Sequence, residues 1–256
     1  MKTKIVLLLA IMTLQANAQL IPVAYKDGSQ KLNGFLATAV SQQKKNPGIL
    51  ILPAWMGIST HSKEVAEKLA GLGYHAFIAD IYGEGNYPST TQEAGKQAGL
   101  YKKDFKAYQK RISLALDELI KGGADPDNIV IIGYCFGGTG ALEAARAGLP
   151  VQGVVSFHGG LGKDNARANL TVKPKVLVLH GADDPFVSKE EIEAFQKEMK
   201  DGKADWQMIY YGNAVHAFTE KEAGHDNSKG AAYNNNADKR SWRHFIMFLE
   251  ELFRRK

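Results

Sequence analysis

The stretch Asn128-Ile-Val-Ile-Ile-Gly-Tyr-Cys-Phe-Gly-Gly-Thr-Gly140 constrains this chain more than any other. Ile129 to Ile132 are four consecutive β-favouring residues, the composition of a parallel strand buried on both faces. The run stops at Gly133, and Gly133-Tyr134-Cys135-Phe136-Gly137 then places one reactive side chain between two glycines. That spacing fits a sharp strand-to-helix elbow: the small residues let the turn close and let the next helix, expected from about Gly138 to Ala147, approach the strand. The free N–H groups and positive dipole end of that helix would favour a thiolate at Cys135. The bland alternative is a buried cysteine that only packs on the turn, so the rest of the chain has to decide.

Cysteine usage bears on the choice. Residues 1–18 read as an export signal: Met1-Lys-Thr-Lys4 is basic, Ile5 to Leu14 is apolar, and Ala16-Asn17-Ala18 offers a small-x-small site for cleavage before Gln19. The apolar run is too short to span a bilayer, so no membrane association beyond export is expected. Cys135 is the single cysteine of the 256 residues, and it cannot form an internal disulfide. An unpaired thiol in an oxidising compartment is a liability unless it does something. The expected location is the periplasm or the medium. The net charge of +5 includes Lys2 and Lys4, and the other basic residues are interleaved with acidic ones, so no nucleic-acid surface is expected.

Taken in order, Ile21 to Tyr25 and Lys31 to Ala39 read as an edge hairpin turning at Asp27-Gly28-Ser29. Gly48 to Pro53, Gly73 to Asp80, Val151 to His158, Val176 to His180 and Trp206 to Tyr210 read as further strands. Helical spacing of apolar residues marks about Ser62 to Leu72 and Asp104 to Ile120, and helices are also expected over Ser188 to Lys200 and Asp238 to Phe253. Tyr87 to Tyr101 is polar and indistinct, with room for one short helix over the top of the sheet. Strands alternating with amphipathic helices predict a mostly parallel, doubly wound α/β sheet with helices on both faces, in one domain over residues 19–256.

In such sheets reacting groups collect where strands end at their C-terminal edge. After Val176 to His180 comes Gly181-Ala-Asp-Asp-Pro-Phe-Val187, offering a carboxylate at Asp183 or Asp184. After Trp206 to Tyr210 comes Gly212-Asn-Ala-Val-His-Ala-Phe218, offering His216. A thiol needs a base, and the base needs a carboxylate to fix its tautomer and stabilise its cation, so the three strand ends supply a working set in the order nucleophile, acid, histidine. The other histidines, His61, His75, His158, His180, His225 and His244, lack metal-ligand spacing, and neither a metal nor a cofactor is expected.

Together Gly133-Tyr-Cys-Phe-Gly-Gly138, Asp80-Ile-Tyr82, His180-Gly-Ala-Asp-Asp-Pro-Phe-Val187 and His216-Ala-Phe218 resemble the dienelactone hydrolase family of the α/β-hydrolase fold over nearly the whole mature chain. The resemblance implies Cys135 as nucleophile, His216 as base and Asp184 as acid. It also implies an oxyanion hole made by the backbone N–H groups of Trp55 and Phe136. Three positions depart from the dienelactone-cleaving members. Ala54 stands where they carry a glutamate that holds the resting thiol. Glu84 and Glu220 stand where they carry arginines that grip the lactone's carboxylate. The implied substrate is therefore a small neutral or cationic ester, lactone or thioester rather than the carboxylate-bearing namesake, with Ala54, Tyr82, Glu84, Phe218 and Glu220 around the pocket. Trp55 and Phe136 are further candidates for its apolar lining. Losing the glutamate would leave Cys135 as a thiolate paired with protonated His216. The competing expectation is a binding module or thiol sensor on a hydrolase scaffold. A monomer or small homo-oligomer is expected.

Overall fold

The computed structural model describes residues 19–41 and 46–253. The expected signal segment, residues 1–18, lies outside the described residues. Eight strands form one sheet in the order β1 (Leu20–Asp27), β2 (Gln30–Ala37), β4 (His75–Ile78), β3 (Asn46–Leu52), β5 (Ala124–Tyr134), β6 (Gly153–Phe157), β7 (Lys175–Gly181), β8 (Trp206–Tyr211). The β1–β2 and β2–β4 pairs are antiparallel and every other pair is parallel. The edge hairpin and the mostly parallel sheet are as the residue pattern predicts.

Strand alternation divides the core. Ile129 and Ile131 of β5 face the helices α3 (Phe105–Lys121), α4 (Phe136–Arg146) and α5 (Lys189–Asp201), whereas Val130 and Ile132 face α1 (Thr60–Gly71) and α6 (Asn235–Phe253). All four are essentially without solvent contact, and burying a side chain of this size contributes about 1.5–3 kcal/mol. The strand order reverses around β3 and β5, so the loops leaving these two neighbouring strands open a crevice between them, and Cys135 stands at its edge.

Three boundaries differ from expectation. The indistinct stretch after Tyr87 holds a full helix, α2 (Thr91–Lys103), whose buried residues are the small Ala94 and Ala98. The Asp125-Pro126-Asp127 turn lies within β5, whose first residue pairs with Asn46 ahead of an irregularity in the ladder. The helix after the elbow starts at Phe136, two residues early, because Cys135 itself occupies the capping position.

A buried ionic cluster ties the long loop after β6 to the helices. The Arg146 guanidinium donates to Glu198 at 2.9 and 2.8 Å, to Glu143 at 3.0 Å and to the Leu161 carbonyl at 2.6 Å, and Arg167 donates both arms to Glu143 at 2.9 Å. Every hydrogen-bonding carboxylate oxygen has a guanidinium partner, which is the condition under which burying such charges is tolerated.

Candidate active site

The elbow is held by close backbone approaches. A Cβ on Gly133 would lie 1.9 Å from the Gly137 carbonyl oxygen, and one on Gly137 would lie 2.0 Å from that of Leu52, so neither position admits a side chain without moving backbone. Between them Cys135 is forced to φ 53° and ψ −113°, a left-handed conformation that a non-glycine residue adopts only when its surroundings impose it. Its N–H donates to the Phe157 carbonyl at 3.0 Å, which locks the elbow to β6. Phe136, as the first helical residue, carries an N–H with no intrahelical acceptor.

The three strand-end residues converge. His216 Nε2 lies 3.1 Å from Cys135 Sγ, and His216 Nδ1 lies 2.9 Å from Asp184 Oδ2. Asp184 Oδ1 accepts the Phe186 N–H at 2.9 Å, and its side chain is wholly shielded from water. Asp183, the alternative carboxylate, is exposed and outside this chain of contacts. The His216 loop is pinned on both sides: its N–H donates to Gly230 O at 3.1 Å, and its carbonyl accepts from Ala232 N at 3.0 Å.

Burial opposes a charge on His216, but the hydrogen bonds to Asp184 and Cys135, and then the charges of both, outweigh it and raise its pKa from 6.5 to about 10. The raised value favours the protonated ring. Beside it, at 5.3 Å between ring centroids, lies His158, fully buried, with Nε2 2.8 Å from Thr219 Oγ1. Burial first and the neighbouring His216 second push His158 well below its usual range, so it stays neutral against the cation.

The remaining expected site residues separate. Ala54 and Trp55 follow β3 in the loop facing the elbow, and the Trp55 side chain reaches solvent. Ala54, Tyr82 and Phe136 border a cavity of about 10 Å³, roughly the space of one water. Tyr82 and Phe136 are buried, stacked on each other at 5.8 Å. Phe218 is 0% exposed, edge-on to His158, so it supports the histidines from beneath and presents no surface to a substrate. Glu84 is exposed near Asn33 of β2, and Glu220 is largely buried 3.8 Å from His61 Nε2. Asp80 is structural: its carboxylate accepts from Asn33 N at 2.8 Å, Gly83 N at 2.8 Å and the Tyr87 hydroxyl at 2.7 Å, fixing the loop that carries Tyr82.

The residue pattern did not single out Phe186 as a site residue, although it is the aromatic two residues after Asp184. Its ring stands perpendicular to His216 at 5.4 Å and remains 60% exposed. A half-buried cysteine and histidine and a buried aspartate, hydrogen-bonded in series, can perform nucleophilic acyl transfer.

A profile of the dienelactone hydrolase family matches residues 32–253. The chain belongs to the dienelactone hydrolase family. Among similar solved structures, a dienelactone hydrolase-like promiscuous phosphotriesterase from metagenomic libraries is 35% identical, with a TM-score of 0.87 over 93% of this chain and 100% of that one. A protein of Aquifex aeolicus named as a carboxymethylenebutenolidase is 27% identical over 78% of this chain and 87% of its own length. A Bradyrhizobium protein named as a 2-oxo-3-(5-oxofuran-2-ylidene)propanoate lactonase is 29% identical over 74% and 81% respectively. The family member described here is a carboxylic ester hydrolase with the α/β-hydrolase fold.

Proposed function

We propose that the chain hydrolyses a small ester, lactone or thioester through a covalent acyl-cysteine, with Cys135 as nucleophile, His216 as acid and base, and Asp184 as the group that orients His216. The observation that carries this reading is the unbroken series Sγ to Nε2 at 3.1 Å and Nδ1 to Oδ2 at 2.9 Å. His216 is the group that takes the Cys135 proton, in keeping with its raised pKa. The thiolate attacks the carbonyl carbon, and the carbonyl oxygen becomes an oxyanion held by the Trp55 and Phe136 N–H groups. As the tetrahedral species collapses, His216 gives its proton to the departing oxygen or sulfur. Now neutral, it takes a proton from water, whose oxygen attacks the thioester. Collapse releases the acid, and His216 again faces a thiolate.

The substrate class is neutral or cationic, because no arginine occupies positions 84 or 220. Neutral phosphotriesters belong in the same test panel, given the name of the 35% identical relative. Residues 1–18 would direct the enzyme to the periplasm or the medium.

The test is hydrolysis of p-nitrophenyl acetate by the mature chain, followed for burst and steady state beside Cys135→Ala and Cys135→Ser. Sustained turnover lost in Cys135→Ala is the expected result. A burst without turnover, or neither burst nor turnover, refutes the hydrolase reading and favours a thiol sensor or binding module.

A further inference from the structure

Two tyrosines outside the Cys135, His216 and Asp184 series grip the two residues whose N–H groups face the reacting carbonyl in this mechanism. The Tyr82 hydroxyl donates to the Trp55 carbonyl at 2.7 Å, and its ring stacks on Phe136 at 5.8 Å and 18°. The Tyr108 hydroxyl donates to the Phe136 carbonyl at 3.0 Å, and its ring lies nearly parallel to Phe136 at 4.6 Å and 5°.

The arrangement repeats at both residues. The peptide plane carrying the Trp55 N–H is fixed through its other end, where Ala54 O accepts from Gly57 N at 2.9 Å. The plane on the far side of Trp55 is fixed by Tyr82. The plane carrying the Phe136 N–H is fixed where Cys135 O accepts from Gly138 N at 3.0 Å and Thr139 N at 3.2 Å. The plane on the far side of Phe136 is fixed by Tyr108. With both flanking peptides held, each N–H has its direction set before a substrate arrives.

The fold makes room for this. A Cβ on Gly140, one turn along α4, would lie 2.3 Å from the Tyr108 hydroxyl oxygen. Both phenols are buried, and burial raises their pKa values, so each remains a donor through the working range of pH.

We propose that Tyr82 and Tyr108 are positioning residues of the oxyanion site, acting through the carbonyls of Trp55 and Phe136 to aim the two N–H groups. The proposal rests on the acyl-transfer reading above. Removing one oxyanion donor outright costs about 10²–10³-fold in rate, so loosening one should cost about 10-fold to 100-fold.

The experiment compares two reactions of the same thiol in the mature chain, its Tyr82→Phe variant and its Tyr108→Phe variant. Acylation of Cys135 by p-nitrophenyl acetate builds an oxyanion. Alkylation by iodoacetamide displaces iodide at carbon and builds none, so it reads only the thiolate and His216. The expected result is acylation slowed about 10-fold to 100-fold, with alkylation within about twofold of wild type. Because phenylalanine keeps the ring stack, folding should be retained. Gly140→Ala, which pushes the Tyr108 hydroxyl off the Phe136 carbonyl, should give the same selective loss. Unchanged acylation in both tyrosine variants, or equal losses in acylation and alkylation, would overturn the proposal. Failure of the wild-type chain to be acylated at all would instead overturn the acyl-transfer reading on which it depends.

Discussion

Replacing Gly137 by alanine tests whether the elbow and the oxyanion loop are one mechanical unit. The added Cβ would stand 2.0 Å from Leu52 O, 2.5 Å from Leu52 C and 2.7 Å from Pro53 O. All three contacts are backbone, so no side chain can swing aside. Restoring even 3.0 Å, the shortest separation such atoms tolerate, requires β3 and α4 to part by about 1 Å. Overpacking of this kind costs about 1–3 kcal/mol in stability. The larger effect falls on function, because Ala54 and Trp55 follow Pro53 directly. A displacement of 1 Å at a positioning element costs about 100-fold. The assay pairs urea denaturation with kcat/KM for p-nitrophenyl acetate, using Gly99→Ala as a control. Gly99 lies in α2 with nothing within 4 Å of an added Cβ, and alanine there should stabilise the helix by about 0.5–1 kcal/mol without touching activity. A Gly137→Ala enzyme with wild-type kcat/KM would refute the mechanical link between elbow and loop.

Four further outcomes are expected. Since His216 is raised to about 10 and must give its proton to the leaving group, kcat/KM should fall along an alkaline limb near pH 10, and Asp184→Asn should move that limb to lower pH. Its folded pKa lies above the unfolded 6.5, so the stability it contributes is fully present below 6.5 and is lost as pH rises through about 10; urea midpoints across that window should show the decline. Arg146→Ala leaves Glu198 with no guanidinium and Glu143 with Arg167 alone, and should cost about 3–5 kcal/mol in urea denaturation. Phe186→Ala removes the exposed ring that stands edge-on to His216. Acylation by aryl esters should slow by roughly 3-fold to 10-fold, the share of an aromatic pair, while hydrolysis of the common acetyl-enzyme is unchanged.

The parts of this molecule legible in the residue order are those fixed by local pattern. Ile129 to Ile132 followed by Gly133 announces a buried strand and an elbow, and the polar residues after β7 and β8 announce which side chains reach the crevice. The full extent of helix α2 escaped because its buried residues are Ala94 and Ala98, too small to make an apolar stripe. The first turn of α4 escaped because its cap is the strained backbone of Cys135, not a capping side chain. The exposed position of Phe186 depends on Gly230, where a Cβ would lie 3.0 Å from the ring, and no local pattern links the two. Tyr108 reads as one more apolar position of α3 until Gly140 is seen to make space for its hydroxyl. Phe218, which the resemblance implies in the pocket lining, turns into the core beneath the histidines.

The two glutamates at positions 84 and 220 do not act alike on an anionic substrate. Glu84 is exposed, and water and salt screen its charge. Glu220 is largely buried and faces His61, Glu222, Asp238 and His216. Burial first, then Glu222 and Asp238, raise its pKa from 4.5 to about 7, against the opposing pull of His216. His61 supplies no cation, because burial lowers its own pKa to about 4. A raised carboxyl pKa means the folded state holds the proton more tightly, so the associated stability is greatest below pH 4.5 and is lost as pH rises through about 7. Glu220→Gln cannot ionise and should be more stable than wild type at pH 8, by up to about 3 kcal/mol for a shift from 4.5 to about 7, and closely similar at pH 4.5. The same titration should set substrate preference. Between pH 6 and 8 the preference for p-nitrophenyl acetate over the anionic mono-p-nitrophenyl succinate should rise by about fivefold, the effect of roughly 1 kcal/mol of added repulsion. His216, with a pKa of about 10, keeps its proton throughout that window and so cannot produce the change. In Glu220→Gln the rise should vanish. If the variant keeps it, Glu220 is not the group that excludes the anion, and the missing arginines alone account for the substrate class.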